Sequence, residues 1–264
     1  MISFSSEQLY IVTGASSGIG EGIALLLNEL GASVIAMGRN AERLEALKAK
    51  SARPDNIFIE VKDLAEDIAG LPDYATELRK KYGKFSGMAY SAGVTAVAPV
   101  QVFDYNYARR IFDTNYFAPI MLTKGLLDRR NNVGKGASFV YLSSLDAFVS
   151  TRGQTLYAGS KSALSATVKG MAREVAQRGI RMNSLLPSMI KTPMTTSEES
   201  EKYGAKEIVD EQHPFLREKD FPEALSHNFC QAEAQARREH SHLRLSHQDA
   251  CKGFLYPPWL EHPS

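Results

Sequence analysis

The chain has few of the features that mark membrane, secreted or nucleic-acid-binding proteins. Its 264 residues include two cysteines, Cys230 and Cys251, and both lie near the end, so no disulfide framework is expected. Lysine plus arginine (31) balance aspartate plus glutamate (30), without the basic excess of a nucleic-acid-binding surface. No apolar run is long enough to span a bilayer, and residues 1–7 lack a signal-peptide pattern. We expect a cytoplasmic protein with a small-molecule partner, and neither a nucleic acid nor a membrane partner.

The sequence also shows no internal repeat, no low-complexity tract and no flexible linker. Short apolar, β-branched runs predict strands, and helices are predicted between them. The predicted strands lie near residues 9–13, 32–37, 57–61, 87–91, 137–143 and 181–186, and the predicted helices include 74–82, 108–127 and 156–177. This alternation predicts an α/β fold with a doubly wound parallel sheet (a Rossmann fold) in a single domain. Ligands of such sheets bind beyond the carboxyl ends of the strands.

A glycine-rich turn follows the first predicted strand and leads into a helical pattern. Residues 13–20 read Thr-Gly-Ala-Ser-Ser-Gly-Ile-Gly. In this setting Gly14 permits a tight turn, Gly18 lets the backbone approach a pyrophosphate, and Gly20 lets the helix pack close to the strand. The helix N-terminus then favours the phosphates of a dinucleotide. A flexible glycine turn without a ligand is the alternative interpretation.

The end of the second predicted strand bears on which dinucleotide binds. NAD sites usually place an acid here to accept from the ribose 2′-OH, and Gly38-Arg39-Asn40 contains none. Arg39 instead offers a guanidinium group that can pair with a 2′-phosphate. We therefore expect NADP(H) in preference to NAD(H). The alternative is that Arg39 is simply part of a surface loop.

Tyr157 and Lys161 stand four residues apart, with Ser144 one segment upstream. On a helix, this spacing puts the phenol and the ammonium group on one face. Because a nearby cation favours the phenolate, Lys161 is expected to lower the pKa of Tyr157 from about 10 toward neutrality. Such a tyrosine can exchange a proton with a carbonyl or carbinol oxygen at physiological pH. The same spacing also arises by chance on solvated helices, so the pair alone does not establish this chemistry.

Taken in order, these segments resemble the short-chain dehydrogenase/reductase family, in particular its 3-oxoacyl-acyl-carrier-protein-reductase-like branch. The resemblance runs from about Leu9 to about Leu225. The matching segments are the glycine turn, Asp63-Leu64, Tyr90-Ser91-Ala92-Gly93, Asp113-Thr114-Asn115, Ser144, Tyr157 with Lys161, Asn183 to Pro187, and Ile190-Lys191-Thr192-Pro193. The resemblance implies a catalytic domain over residues 1–225 that transfers a hydride between NADP(H) and a small alcohol or ketone.

The resemblance also implies roles for individual residues. Tyr157 is the acid in reduction and the base in oxidation, and Lys161 lowers its pKa and holds the nicotinamide ribose. Ser144 fixes and polarises the substrate oxygen, and Asn115 supports a water path to the lysine. The implied cofactor contacts are Gly14, Ser16, Ser17, Gly18, Ile19, Gly20, Arg39, Asp63, Leu64, Ala92, Gly93, Tyr157, Lys161, Pro187, Ile190 and Thr192. No metal site is expected.

Some positions depart from the family pattern or stay open. Tyr90 and Ser91 stand where the family has two asparagines, so we expect different hydrogen bonds to hold that strand end. Ser188 replaces a glycine, which alters local backbone freedom. Asp146 either lines the substrate mouth or is a solvated loop acid. Asn115 can also be read as a helix-kink residue.

The last part of the chain does not follow the family pattern. Residues 195–222 are polar and proline-interrupted, as suits a mobile lid over the substrate. Residues 226–264 lack the apolar helix and final strand of the family, so we treat them as an atypical tail. The tail is either the product of a frameshift near Leu225 or a lineage-specific extension. Without the final strand a tetramer is doubtful, and a homodimer through residues 108–127 and 156–177 is expected.

Three functions compete at this level. The leading hypothesis is an NADP(H)-dependent dehydrogenase or ketone reductase acting on a 3-oxoacyl thioester, a sugar or another small ketone. The second is a non-catalytic, nucleotide-binding regulatory relative. The third is a poorly folding product of a damaged gene.

Overall fold

The fold is a six-stranded parallel sheet with helices on both faces. The computed structural model describes residues 3–95, 97–150, 152–188, 190 and 192. Within these residues the strand order is β3-β2-β1-β4-β5-β6, and every neighbouring pair is parallel. The strands are β1 Leu9–Thr13, β2 Ser33–Gly38, β3 Ile57–Val61, β4 Gly87–Tyr90, β5 Ser138–Leu142 and β6 Arg181–Leu185. The predicted fold class is confirmed.

The helices alternate with the strands along the chain. They are α1 Gly18–Glu29, α2 Ala41–Lys50, α3 Leu71–Tyr82, α4 Tyr105–Phe112, α5 Ala118–Leu126, α6 Asp146–Val149 and α7 Thr155–Val175, with 3₁₀ turns at Pro54–Asn56 and Ala176–Arg178. Side-chain caps begin two of them, because Asn40 accepts from the Arg43 amide and Asp104 accepts from the Tyr107 amide. Gly83 ends α3 with φ 105°, a conformation that favours glycine.

The core consists of two apolar clusters, one on each face of the sheet. Successive residues of β1 alternate between them, with Leu9 and Ile11 in one cluster and Tyr10 and Val12 in the other. Helices α3, α5 and α7 cover the first face, and α1 and α2 cover the second. Both faces of the central strands are therefore buried, which explains why they read as continuous apolar runs.

One predicted helix differs from the structure in a way that matters for the site. The sequence predicts a single helix over 108–127, but helical structure begins at Tyr105 and a π-helical turn, Asp113–Phe117, separates α4 from α5. Such turns insert an extra residue into a helix and often occur at functional sites. Asn115 lies inside this turn and is fully buried.

The strand order reverses direction between β1 and β4, which lie side by side although β2 and β3 come between them in sequence. This switch point is where open α/β sheets bind ligands, at the carboxyl ends of the strands. Among the described residues, no helix is both long and apolar enough to cross a bilayer. The predicted lid (195–222) and tail (226–264) lie outside the described residues.

Candidate active site

The glycine turn sits at the switch point and leads directly into α1. Gly14 and Gly18 have φ values of 66° and 58°, in the left-handed region that favours glycine. A side-chain carbon on Gly20 would lie 2.3 Å from the Gly14 carbonyl oxygen, so only glycine permits this close approach of helix and turn. In the described part of the chain the Ser17 side chain makes no capping hydrogen bond at the start of α1. The first-turn amides, including that of Ile19, therefore remain suited to an anion.

Thr13 joins the ends of the two central strands and was missed by sequence reasoning. Its buried Oγ1 accepts from the Ser91 and Ala92 amides at 3.1 and 3.0 Å. Tyr90 also donates its phenol hydrogen to the Thr114 carbonyl at 3.1 Å, which ties β4 to the π-helical turn. These are the different hydrogen bonds that the departures at Tyr90 and Ser91 led us to expect. The signal available in the sequence was a threonine hydroxyl at the end of an apolar strand, directly before the glycine turn.

The ends of β2 and β3 bring an arginine and an aspartate together. Arg39 Nη1 lies 3.7 Å from Asp63 Oδ2; the Arg39 side chain is largely exposed and the Asp63 side chain is half-buried. Asp63 Oδ1 also accepts from the Ala65 amide at 2.9 Å, which fixes the turn after β3. Ser16 lies against the end of β2, since a side-chain carbon on Gly38 would be 3.2 Å from Ser16 Oγ. Leu64 is buried in the core below this turn, which places its side chain away from solvent.

At the end of β5, two consecutive serines point into different environments. Ser143 Oγ donates to the Lys161 carbonyl at 3.0 Å, which fixes the start of α7 against the strand. Ser144 Oγ donates to Asp146 Oδ2 at 3.2 Å and accepts from the Asp146 amide at 3.2 Å. Ser144 also hydrogen-bonds to the Tyr157 phenol, a contact that by itself favours the phenolate. The predicted pair Ser144 and Tyr157 is therefore brought together.

Lys161 lies one turn after Tyr157 in α7, as the four-residue spacing predicts. Its Nζ is 5.7 Å from the centre of the Tyr157 ring and donates to the Leu142 carbonyl at 2.8 Å. The side chain is almost fully buried. The ammonium group therefore sits under the phenol, held by the last residue of β5.

The electrostatics of this pair differ from the sequence prediction. Burial, together with the charge of Asp146, raises the pKa of Tyr157 to about 12, although the hydrogen bond between Tyr157 and Ser144 opposes the shift. Burial lowers the pKa of Lys161 to about 8. The prediction that Lys161 draws the pKa of Tyr157 toward neutrality is wrong for this structure. The reason is that loss of hydration disfavours both charged forms, and the lysine makes its short contact with a carbonyl.

Asn115 connects the π-helical turn to the rest of the site. Its Nδ2 donates to the Val94 carbonyl at 2.9 Å and to Ser160 Oγ at 3.1 Å, while its Oδ1 accepts from the Val94 amide at 2.9 Å. A side-chain carbon on Gly93 would lie 3.2 Å from Asn115 Oδ1 and 3.4 Å from Lys161 Nζ. Gly93 therefore leaves room between the asparagine and the lysine.

The predicted contacts after β6 are only partly placed. Pro187 is buried, and its carbonyl accepts from the Leu145 amide at 2.9 Å, next to Ser144. Ile190 is buried and Thr192 is half-buried. Pro187 thus adjoins the loop that carries Ser144, and the roles of Ile190 and Thr192 stay predictions.

Every strand of this sheet delivers a predicted site residue from its carboxyl end. A parallel sheet in this order, with a glycine turn at its switch point, is the architecture of dinucleotide-binding proteins. The chain belongs to the short-chain dehydrogenase family, whose model matches residues 8–203. It is therefore related to oxidoreductases that act on CH–OH or C=O groups with a nicotinamide cofactor.

Curated relatives agree with this family. An uncharacterized oxidoreductase of Staphylococcus epidermidis is 27% identical over 210 residues, which span 77% of this chain and 88% of the relative. The 3-oxoacyl-[acyl-carrier-protein] reductase FabG of Rickettsia prowazekii is 33% identical over 186 residues, which span 70% of this chain and 73% of the relative. The predicted resemblance, including its 3-oxoacyl-reductase-like branch, is confirmed.

Solved structures show the same fold. A short-chain type dehydrogenase/reductase from Mycobacterium ulcerans is 27% identical with a TM-score of 0.74, covering 88% of this chain and 86% of that one. A short chain dehydrogenase from Burkholderia cenocepacia, solved in complex with NADP, has a TM-score of 0.73 at 23% identity and covers 84% of this chain and 90% of that one.

Proposed function

We propose that this chain is an NADP(H)-dependent reductase and dehydrogenase that interconverts a small ketone and its alcohol. The observation that carries the proposal is the contact between the Ser144 hydroxyl and the Tyr157 phenol, above the buried Lys161. Two hydroxyl groups that meet at the edge of a dinucleotide-binding sheet can both hydrogen-bond to one substrate oxygen.

The four proposed catalytic residues have distinct parts in this chemistry. Ser144 orients the substrate oxygen, and Tyr157 gives it a proton in reduction or takes one in oxidation. Lys161, whose ammonium group lies 5.7 Å from the centre of the Tyr157 ring, holds the ribose of the bound nicotinamide beside the phenol. Asn115 holds the loop that follows β4 next to Lys161.

The raised pKa of Tyr157 favours one direction of the reaction near neutral pH. With a pKa of about 12 the phenol is protonated at pH 7 and is ready to act as an acid. Reduction therefore begins from the dominant protonation state, whereas oxidation requires the rarer phenolate. We expect the rate of alcohol oxidation to increase with pH up to about 12, and the phenol to stay protonated for ketone reduction below that pH.

The glycine turn and the strand ends fit a nicotinamide dinucleotide. In this proposal the amides that start α1 hold the pyrophosphate, and Arg39 pairs with a 2′-phosphate in addition to Asp63. The bound nicotinamide supplies or accepts the hydride. Ser16, Ser17, Ala92 and Gly93 lie along the same edge, where this chain can position the adenosine and ribose groups.

A screen for carbonyl-dependent oxidation of NADPH, repeated with NADH, tests this proposal. The panel contains 3-oxoacyl thioesters, sugars and small ketones, which are the substrate classes of the leading hypothesis. We expect turnover with at least one carbonyl compound and a higher kcat/KM with NADPH than with NADH. Absence of turnover across the panel, with NADPH bound, contradicts the enzyme and supports the regulatory alternative.

One observation favours that regulatory alternative. A phenol pKa of about 12 lies far from neutrality, so Tyr157 is less reactive as a base than in the sequence prediction. If the chain only senses cofactor, NADPH should bind tightly while no carbonyl compound of the panel is turned over. Calorimetric titration of NADPH against the wild type, set beside the turnover screen, measures this directly.

We also propose a homodimer that pairs through α4, α5 and α7. Tyr105 and Phe117 expose 75% and 46% of their surface, a large share for aromatic side chains. They line a cavity of about 890 Å³ together with Phe112 and Met121. Sedimentation of the wild type and Tyr105→Asp tests the pairing, since a buried carboxylate at this contact should favour the monomer.

A further inference from the structure

Asp146 places a carboxylate beside the two hydroxyl groups that we propose to hold the substrate oxygen. Its Oδ2 accepts from Ser144 Oγ at 3.2 Å, and Ser144 in turn contacts the Tyr157 phenol. The carboxylate is thus two hydrogen bonds away from the group that exchanges the proton. It has no part in the proposed hydride transfer.

The position of this carboxylate is fixed by the surrounding backbone. The Asp146 amide donates to Ser144 Oγ at 3.2 Å, so the two residues are linked through both side chain and backbone. The Leu145 amide donates to the Pro187 carbonyl at 2.9 Å, and Ser162 Oγ donates to the Ala147 carbonyl at 2.5 Å. The start of α6 is therefore attached to the segment that follows β6 on one side, and α6 itself is attached to α7 on the other.

The charge of Asp146 reaches the reacting position. It contributes to the raised pKa of Tyr157, although the burial of the phenol is the larger cause. Lys161, the cation under the ring, makes its short contact with the Leu142 carbonyl. A substrate that contacts both Ser144 and Tyr157 therefore lies within range of a fixed negative charge.

On the basis of the proposed function, we infer that Asp146 is a specificity-determining residue that favours carbonyl compounds with a hydroxyl or ammonium group next to the carbonyl. An ionised carboxylate only accepts hydrogen bonds, so it stabilises a donor at that position. By the same charge it disfavours substrates that carry a carboxylate or a phosphate there. One hydrogen bond to a charged group increases affinity by roughly 10- to 100-fold.

Three ketones of similar size test this inference by their kcat/KM with NADPH. Hydroxyacetone carries a hydroxyl beside the carbonyl, butanone carries a methyl at the same place, and pyruvate carries a carboxylate. For Asp146→Asn we expect the hydroxyacetone-to-butanone ratio to fall and the pyruvate-to-butanone ratio to rise, each by roughly tenfold. A general loss of structure lowers all three values together and leaves both ratios unchanged.

Two further variants sharpen the comparison. Asp146→Glu keeps the charge and should retain most of the wild-type ratios. Asp55→Asn removes one negative charge from an exposed turn before β3 and should change neither ratio. If Asp146→Asn turns over the ketones with wild-type ratios, the inference is wrong and the proposed function stands. If the wild type reduces none of the three ketones but turns over another carbonyl compound of the screen, the inference is wrong and the proposed function stands; no turnover across the whole screen contradicts both.

Discussion

The cofactor side of the candidate site is formed mainly by backbone, whereas the substrate side is formed by side chains. On the cofactor side, a backbone turn with Gly14, Gly18 and Gly20 and the start of α1 form the surface. On the substrate side, buried side chains such as Ser144 and Lys161 form it. A backbone cradle requires only that certain side chains be absent, whereas a side-chain site must place polar groups where water is excluded.

This difference separates geometry from electrostatics. The glycine turn follows from local conformational rules, since left-handed φ values and a 2.3 Å approach leave no choice of residue. The ionisation of Tyr157 and Lys161 depends on how much water the whole fold removes and on which carbonyl the lysine meets. Substitution on the cofactor side is therefore limited by steric clashes. On the substrate side, burying ionisable groups lowers the free energy of unfolding.

The largest effect on this comparison should come from Gly20→Ala. The added carbon meets the Gly14 carbonyl oxygen at 2.3 Å, which forces α1 away from the turn. We expect the free energy of unfolding to fall by about 3 kcal/mol, with a marked loss of NADPH affinity. Urea unfolding and fluorescence titration measure the two effects.

Gly170→Ala is the matched control for this substitution. Gly170 lies within α7, and nothing is found within 4 Å of the carbon that alanine would add. Because alanine favours helices more than glycine does, this variant should gain about 0.5–1 kcal/mol. Equal losses in the two glycine variants would contradict the steric account of the turn.

The next effect concerns the buried cation, and it should be stabilising. At pH 7 the folded state must keep Lys161 protonated although burial lowers its pKa to about 8. Lys161→Met removes this cost but leaves the Leu142 carbonyl without its donor. We expect a net gain of about 1–2 kcal/mol in the free energy of unfolding, together with loss of turnover.

The same variant predicts a pH dependence. Between the folded pKa of about 8 and the ordinary value of 10.5, the unfolded chain binds more protons at Lys161 than the folded chain does. The contribution of Lys161 to stability therefore increases with pH across this window. The advantage of Lys161→Met over the wild type should shrink from pH 8 to pH 10 in thermal unfolding. An advantage that is constant with pH argues against a buried, protonated lysine.

The smallest effect should come from Arg39→Ala. The guanidinium group is largely exposed and pairs with Asp63 at 3.7 Å, so its removal should barely change stability. We expect roughly tenfold weaker binding of NADPH and unchanged binding of NADH, because only NADPH carries the 2′-phosphate. Arg129→Ala, which removes another exposed arginine, should change neither affinity. If Arg39→Ala weakened the binding of NADPH and NADH equally, Arg39 would not bind the 2′-phosphate.

The sequence was most informative where structure is local. It predicted β1 and β3 with the observed bounds, and it placed Tyr157 and Lys161 on one helix. It did not predict the π-helical turn around Asn115, because helical periodicity does not show an inserted residue. It also missed Thr13. The role of Thr13 depends on hydrogen bonds to the amides of Ser91 and Ala92, which are 78 and 79 positions away in the sequence.

The error in the pKa of Tyr157 has the same origin. The four-residue spacing correctly gives proximity to a cation, but it carries no information about burial or about Asp146. Nor does it show that the Lys161 ammonium group meets the Leu142 carbonyl. Long-range packing sets these quantities, so they had to come from the structure.

The central claim is that the Tyr157 phenol exchanges the proton while hydride is transferred. Its most direct test is kcat/KM for ketone reduction by Tyr157→Phe, compared with Tyr141→Phe, which removes the phenol of a buried tyrosine that hydrogen-bonds to Thr123 within the core. We predict that Tyr157→Phe lowers kcat/KM by roughly 10²–10⁴ while NADPH still binds, and that Tyr141→Phe retains activity near the wild-type value. Equal activity in the two variants would contradict the account.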